Sequence, residues 1–375
     1  MARRFRWGAA AAIGGAAGYL AWSRAGRGTP NRADCDGWVT ESHGRDAGRG
    51  NLLGMEPFMR AADYASARRF RGKLATYMEA ARAEGWLQPN TVVIWPEYLG
   101  AWLAAMGEKR TVYDANGVSR AMAGIVAANL PAFAAAWARS REPNRAQGAV
   151  FRMKARAVAE AVDDAFSSLA RVYGVTMAAG SAILPEPYIE DGRLRAGVGP
   201  LQNVCAVYGP DGRALEIARK VFPTPEEAGF VNGGRVQDLT AIATPAGRLG
   251  LVICADSWSP EVYARLREER VDFVAVASFG GHGGIWNAPW KGYGTAPPPD
   301  VNPDDVGRLT EKAAWLKYAL PGRIAAAGAD RGLNVFFQGD MWGFRPEAQT
   351  LVVNRGAVSV RPAAPGRGAI VNLWL

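Results

Sequence analysis

Two spacings of apolar residues alternate along this chain. Between Tyr64 and Glu84 the charges keep to one side while Phe70, Leu74, Tyr77 and Met78 recur near helical spacing, which predicts an amphipathic helix. The run Thr91-Val92-Val93-Ile94-Trp95, β-branched and bounded by Pro89 and Pro96, predicts a buried strand; Gly50–Met59 is a shorter apolar segment before it. An Ala-rich helix over Ala121–Arg139, an amphipathic helix over Ala155–Tyr173 and a strand over Val175–Leu184 follow. Asn203–Tyr208 and Ala214–Val221 read as a hairpin across Gly209-Pro210-Asp211-Gly212. Ala241–Thr244 pairs with Leu249–Cys254 across Pro245-Ala246-Gly247, and Glu261–Glu269 and Val271–Ser278 give a helix and a strand. Leu309–Asp330 reads as a helix broken near Pro321, before strands at Asn334–Gln338 and Gln349–Val353 and a last turn around Asn354-Arg355-Gly356. Strands, helices and hairpins interleaved in this way predict an α/β domain with a mixed sheet over residues 49–375, carrying an insertion at 103–150.

The first 48 residues look different. Arg3, Arg4 and Arg6 precede an uncharged Gly/Ala-rich run from Trp7 to Trp22, so residues 1–22 resemble a signal sequence or short membrane anchor; a disordered basic tail is the alternative. Membrane association through residues 7–22, or export, is the expectation, with a cytoplasmic location if the segment is only a tail. Residues 23–48, polar and rich in Gly and Arg, read as a linker. Charge refines this only slightly: 44 basic against 35 acidic residues leave +9, but the arginines are dispersed, which argues against nucleic-acid binding and allows weak attraction to anionic lipid.

Cysteine and histidine counts narrow the chemistry further. Cys35, Cys205 and Cys254 form no C-x-x-C pair, and His43 and His282 are the only histidines, which argues against a zinc site. No G-x-S-x-G turn, G-x-G-x-x-G fingerprint or phosphate-binding loop is present, so neither a serine hydrolase nor a nucleotide cofactor is indicated. Acid–base work falls to carboxylates and lysine, and three reactive groups stand at the ends of apolar runs: Glu97 after Thr91–Trp95, Lys220 after Ile217-Ala218-Arg219, and Cys254 after Leu249–Ile253. Singly, these are a solvated glutamate, a solvated lysine and a small core thiol. Together they supply a base, an electrostatic stabiliser and a nucleophile without histidine.

The segments Ile94-Trp95-Pro96-Glu97-Tyr98, Ala218-Arg219-Lys220-Val221-Phe222-Pro223 and Leu251-Val252-Ile253-Cys254-Ala255-Asp256-Ser257-Trp258-Ser259-Pro260-Glu261 resemble, in that order, the three signature blocks of the nitrilase superfamily of carbon–nitrogen hydrolases. The resemblance implies a four-layer α-β-β-α sandwich with the triad in a pocket at one end. It implies that Cys254 attacks an amide or nitrile carbon, Glu97 acts as general base and Lys220 stabilises the tetrahedral intermediate, with the backbone N–H of Ala255 completing the oxyanion hole. It also implies an auxiliary glutamate, for which Glu227 is best placed and Glu226 second, no cofactor, and a homo-oligomer. Tyr98 and Trp258 flank the triad and are candidate walls of the substrate pocket. The loop Gly280–Pro303, with His282, Trp286, Trp290 and Tyr293, and the 103–150 insertion leave the substrate open. Acyl transfer to an amine at a membrane, a catalytically silent binding module and a Cys254–His282 thiol enzyme are the competing readings.

Overall fold

The computed structural model describes residues 14–28, 30, 37–294 and 296–375. The first part of the signal-like segment and Cys35 lie outside the described residues.

Strands β1 (Trp38–His43), β2 (Asn51–Glu56), β3 (Thr91–Ile94), β4 (Thr176–Pro185), β5 (Leu201–Tyr208) and β6 (Ala214–Arg219) join a carboxyl-terminal strand in one sheet. A second sheet holds β7 (Ile242–Thr244), β8 (Gly247–Ile253), β9 (Phe273–Ser278), β10 (Arg331–Phe336), β11 (Leu351–Asn354) and β12 (Ala357–Val360) in sequence order. The last strand, β13 (Gly368–Trp374), lies between β1 and β2, parallel to the first and antiparallel to the second. Both sheets are mixed: β2, β3 and β4 run parallel, as do β8, β9 and β10, while the pairs next to these are antiparallel and the edge pair β1–β13 is parallel.

The sheets face one another across an apolar core. Leu52, Val92, Ile94 and Val207 from one meet Leu249, Leu251, Ala275 and Val335 from the other. Helices α1 (Ala67–Ala83) and α4 (Arg145–Tyr173) cover the outside of the first sheet through Phe70, Leu74, Phe166 and Leu169. Helix α5 (Pro260–Glu268) and the short turns at 320–327 cover the second through Val262, Tyr263, Leu266 and Ile324. These are the four α-β-β-α layers expected. With both faces of each sheet buried, the central strands read as unbroken apolar runs, which is why β3 and β9 stood out in the sequence.

The structure corrects several expectations. The single helix over 121–139 is two, α2 (Val118–Ala128) and α3 (Leu130–Arg139), bent by 99° where Asn129 and Pro131 break the hydrogen-bond ladder. The helix expected from Ala155 begins at Arg145, where the Asn144 side chain accepts the Gln147 N–H. Residues 23–48 are not a linker throughout, since Trp38–His43 forms β1; its partner β13 had no sequence forecast. Residues 14–24 are helical and seated on the α2–α3 corner, where the Tyr19 hydroxyl donates to the Ala127 carbonyl and accepts from the Leu130 N–H. Among the described residues no single helix is long and apolar enough to cross a membrane; α2 and α3 meet that length and composition only as a bent pair.

One irregularity in β4 sets up the site. Pairing with β5 slips between Ala178 and Ser181, and Gly180 takes φ +70° there. The loop after β3 closes over this bulge: Ser181 N–H donates to the Pro96 carbonyl, and its hydroxyl accepts the Tyr98 N–H at 2.9 Å. A Cβ at Gly180 would lie 2.5 Å from the Pro96 carbonyl oxygen. Gly180→Ala is therefore expected to lower unfolding free energy by about 1–3 kcal/mol, read by urea denaturation, and to displace the loop carrying Glu97. Wild-type stability in that variant would contradict the close approach.

Candidate active site

Glu97, Lys220 and Cys254 come together at the carboxyl ends of β3, β6 and β8. Lys220 is held through its backbone on both sides: its N–H donates to the Asn203 carbonyl, and its own carbonyl accepts from Gly234. Its ammonium, 1% exposed, donates to Glu97 Oε1 at 2.8 Å and Glu227 Oε2 at 2.6 Å. Asn203 Nδ2 donates 2.9 Å bonds to Oε1 of both carboxylates, and the Thr224 N–H donates to Glu227 Oε2. The Tyr98 hydroxyl donates to Glu227 Oε1. Each buried charge is thus matched by donors or an opposite charge, the condition under which such groups stay ionised.

Cys254 sits at φ +50°, a left-handed conformation that a non-glycine residue adopts only when its surroundings impose it. It opens a 3-10 turn over Cys254–Trp258, so Ala255 directly follows the thiol at the start of the turn. The Cys254 Sγ lies 3.7 Å from the Phe279 carbonyl at the end of β9 and also engages Glu97. Ser257 donates to the Cys254 carbonyl, and Tyr263 of α5 donates to the Ser257 carbonyl, which fixes the turn from beneath.

The charges bias one another. Burial pushes the Glu97 carboxyl above its ordinary range; the Lys220 ammonium offsets this in part and the Glu227 charge adds to it. Glu227 is also buried, but the Lys220 charge and its accepted hydrogen bonds outweigh that, leaving it below the usual value. Burial favours the neutral form of Lys220, yet Glu97, Cys254 and Glu227 together raise it and keep the ammonium charged. Burial and the Glu97 charge push the Cys254 thiol well above its usual value. The resting arrangement is a protonated thiol beside a carboxylate of enhanced basicity, suited to proton transfer as the sulfur attacks.

Cys254 and Ala255 open onto a cavity of about 730 Å³. Trp258 lines it, packed at ring-centroid distances of 4.8 Å on Trp315, 5.8 Å on Trp290 and 5.4 Å on Tyr293. Tyr98 is not on this wall; it faces a second cavity on the other side of Phe279. Trp286 is buried and donates to Gln349, which places it in the core. The His282 ring packs on Phe344, whereas the Cys254 contacts run to Glu97 and the Phe279 carbonyl.

The Carbon-nitrogen hydrolase family model matches residues 65–296, which spans all four of these charged and nucleophilic groups. This chain belongs to the carbon–nitrogen hydrolase family. An amidase from Nesterenkonia sp. AN1 is similar to this hydrolase in fold, with 14% identity, a TM-score of 0.52, and coverage of 87% of this chain and 92% of that one. A carbon–nitrogen hydrolase from Helicobacter pylori G27 is similar at 15% identity and TM-score 0.51, over 86% of this chain and 88% of that chain. The sequence matches none of the curated proteins compared with it.

Two polar residues of the hydrolase site carried no role in the sequence reading. Asn203 opens the N-x-x-x-x-x-G-P-D-G stretch and bridges the two glutamates; its position inside an apolar strand was the available signal. Asp256, two residues beyond the cysteine, accepts from the Val221 and Phe222 N–H groups at 2.8–3.1 Å and from Ile253, tying the lysine segment to the cysteine turn. Burial pushes its carboxyl up to about 7 against those donors. Asp256→Asn turns an amide N–H₂ toward backbone donors and should cost about 1–3 kcal/mol in unfolding free energy, with a loss of turnover in the folded fraction. Unchanged thermal stability together with unchanged turnover would show that Asp256 does not join the segments.

Proposed function

We propose that this carbon–nitrogen hydrolase cleaves the amide bond of a small-molecule substrate through a thioester on Cys254, with a nitrile as the alternative substrate. The observation that supports this most is the single ammonium of Lys220 joining Glu97 and Glu227 beside a thiol at a cavity wall. The Cys254 sulfur attacks the carbonyl carbon while Glu97 takes its proton. Negative charge developing on the carbonyl oxygen is stabilised by Lys220 and the Ala255 N–H. Collapse breaks the C–N bond, and the proton on Glu97 passes to the departing ammonia. Water then attacks the thioester, giving a proton to Glu97; the acid leaves and the thiol is re-formed with that proton. Glu227, held on the other side of the ammonium, keeps Lys220 aimed at the carbonyl oxygen of the substrate.

Ammonia release from a panel of small and aromatic amides and nitriles tests this reading. Cys254→Ala should reduce turnover by at least about 10³-fold while the fold is retained, and Lys220→Ala should reduce it likewise in the folded fraction while lowering the thermal midpoint, because two buried carboxylates lose their counter-charge. Because Glu97 acts as a base and is held above its ordinary pKa, kcat/KM should fall as pH drops through an apparent value above the usual glutamate range. Turnover surviving in Cys254→Ala would overturn the thioester route, and an acid limb at an unperturbed value would argue against Glu97 as the base. Adding an amine separates hydrolysis from acyl transfer by its product.

Membrane association forms a second part of the proposal. Helix α3 is Leu130-Pro-Ala-Phe-Ala-Ala-Ala-Trp-Ala-Arg139, yet only Ala136 of it is buried, and Leu130, Trp137, Leu20 and Trp22 are all 39–50% exposed. Arg24, Arg120, Arg139, Arg141 and Arg145 are exposed around this region, so the occupant that fits is an anionic lipid surface. The full chain should float with phosphatidylglycerol vesicles, less so with phosphatidylcholine or high salt, and Leu130→Glu/Trp137→Glu should weaken it. Equal flotation on both lipids, or by the variant, would sink this part.

A further inference from the structure

A second cavity of about 570 Å³ lies against Glu227 on the side of the 103–150 insertion. Val118, Met122 and Val126 of α2 form one wall, and Val150 and Phe151 of α4 form another. Phe151 and Phe230 stack at 5.4 Å with their planes 2° apart, which gives the cavity a flat side. Its polar side chains are Gln147, Glu226 and the Tyr98–Glu227 pair at the inner end. An apolar space of this size, with the Tyr98–Glu227 pair at its buried end and Gln147 and Glu226 exposed to solvent, has the form of a ligand site rather than of a packing gap, since well-packed cores leave few voids larger than a water molecule.

Phe279 separates this space from the one holding Cys254, and it lines both. Its carbonyl lies against the thiol, while its ring meets Tyr98 edge-on at 5.2 Å and stacks on Phe344 at 5.4 Å. A molecule reacting at Cys254 would have to pass Phe279, the residue shared by both cavities, to lay its unreactive end among α2 and α4. The reacting end needs the charged cluster; along α2 and α4 the lining is mainly hydrocarbon.

We propose that this second cavity binds the apolar tail of the substrate, and that the substrate is an amide of a straight-chain aliphatic acid. The proposal rests on the amide-hydrolase reading above. Residues of α2 would then set chain length, a role that the insertion rather than the shared sandwich would carry.

The test is a series of straight-chain primary amides from acetamide to dodecanamide, with kcat/KM from ammonia release. Binding of acetamide and decanamide to Cys254→Ala, by calorimetry, is measured beside it. Each methylene should raise kcat/KM and tighten binding about fourfold until the cavity is filled. Val126→Trp and Met122→Trp should move the optimum to shorter chains, and Val126→Ala should move it to longer ones; thermal melts identify any variant that fails to fold. Binding to Cys254→Ala that is indifferent to chain length would overturn the proposal, as would an optimum unmoved in all folded variants. Chain-graded binding without ammonia release from the wild type would sustain the cavity assignment while defeating the hydrolytic reading alone.

Discussion

A buried ammonium shared by two buried carboxylates is the constraint on which this structure turns. Lys220, Glu97 and Glu227 lie almost wholly out of water, and each is costly there without the others. Two negative charges and one positive charge leave the cluster a net acceptor of protons. Burial raises Glu97, with the Glu227 charge adding to it against Lys220, and burial together with the Glu97 charge disfavours ionisation of Cys254. Asn203 spreads two donors over the two carboxylates and thereby limits their repulsion without adding charge. The reactivity of the sulfur therefore depends on groups drawn from several separate chain segments.

Such an arrangement requires strands whose ends converge from different sheets. Glu97 follows the first sheet's central β3 and Lys220 its edge strand β6, while Cys254 follows β8 of the second. The apolar core between the sheets sets their separation, and Asp256 fixes the register at the rim by binding the backbone next to Lys220 from two residues beyond Cys254. Backbone strain is stored at the same rim: Tyr98 at φ +61° and Cys254 at φ +50° each follow a strand and turn sharply. In both cases hydrogen bonds from a neighbouring element, through Ser181 or through Ser257 and Tyr263, hold the turn.

What the sequence made legible follows from burial. Central strands enclosed on both faces leave apolar runs, and a charged or reactive residue at the end of such a run is conspicuous; Glu97, Lys220 and Cys254 were visible for that reason, and Glu227 followed from the family resemblance. Strand β1 was hidden because its inward and outward positions mix Trp, Glu and His at a sheet edge, and β13 because its identity lies in a pairing with residues more than 300 positions away. The bend between α2 and α3 was obscured by composition: an Ala-rich run looks continuous, and one proline near a helix start is also tolerated inside the first turn. Tyr98 and Trp258, both neighbours of the triad in sequence, face different cavities because adjacent turns direct side chains oppositely, a distinction that spacing does not encode.

The division of labour within the fold follows from these differences. Glu97, Lys220 and Cys254 sit at strand ends, where a small displacement would uncouple a buried charge from its partner. The inserted helices and the Gly280–Pro303 loop supply other parts of the two cavity walls, whereas Tyr98, Thr224 and Glu227 belong both to a wall and to the charge cluster. Because Lys220 and its two carboxylates are satisfied by one another and by Asn203, Tyr98 and Thr224, the substrate need not complete the charge cluster, only fit beside it.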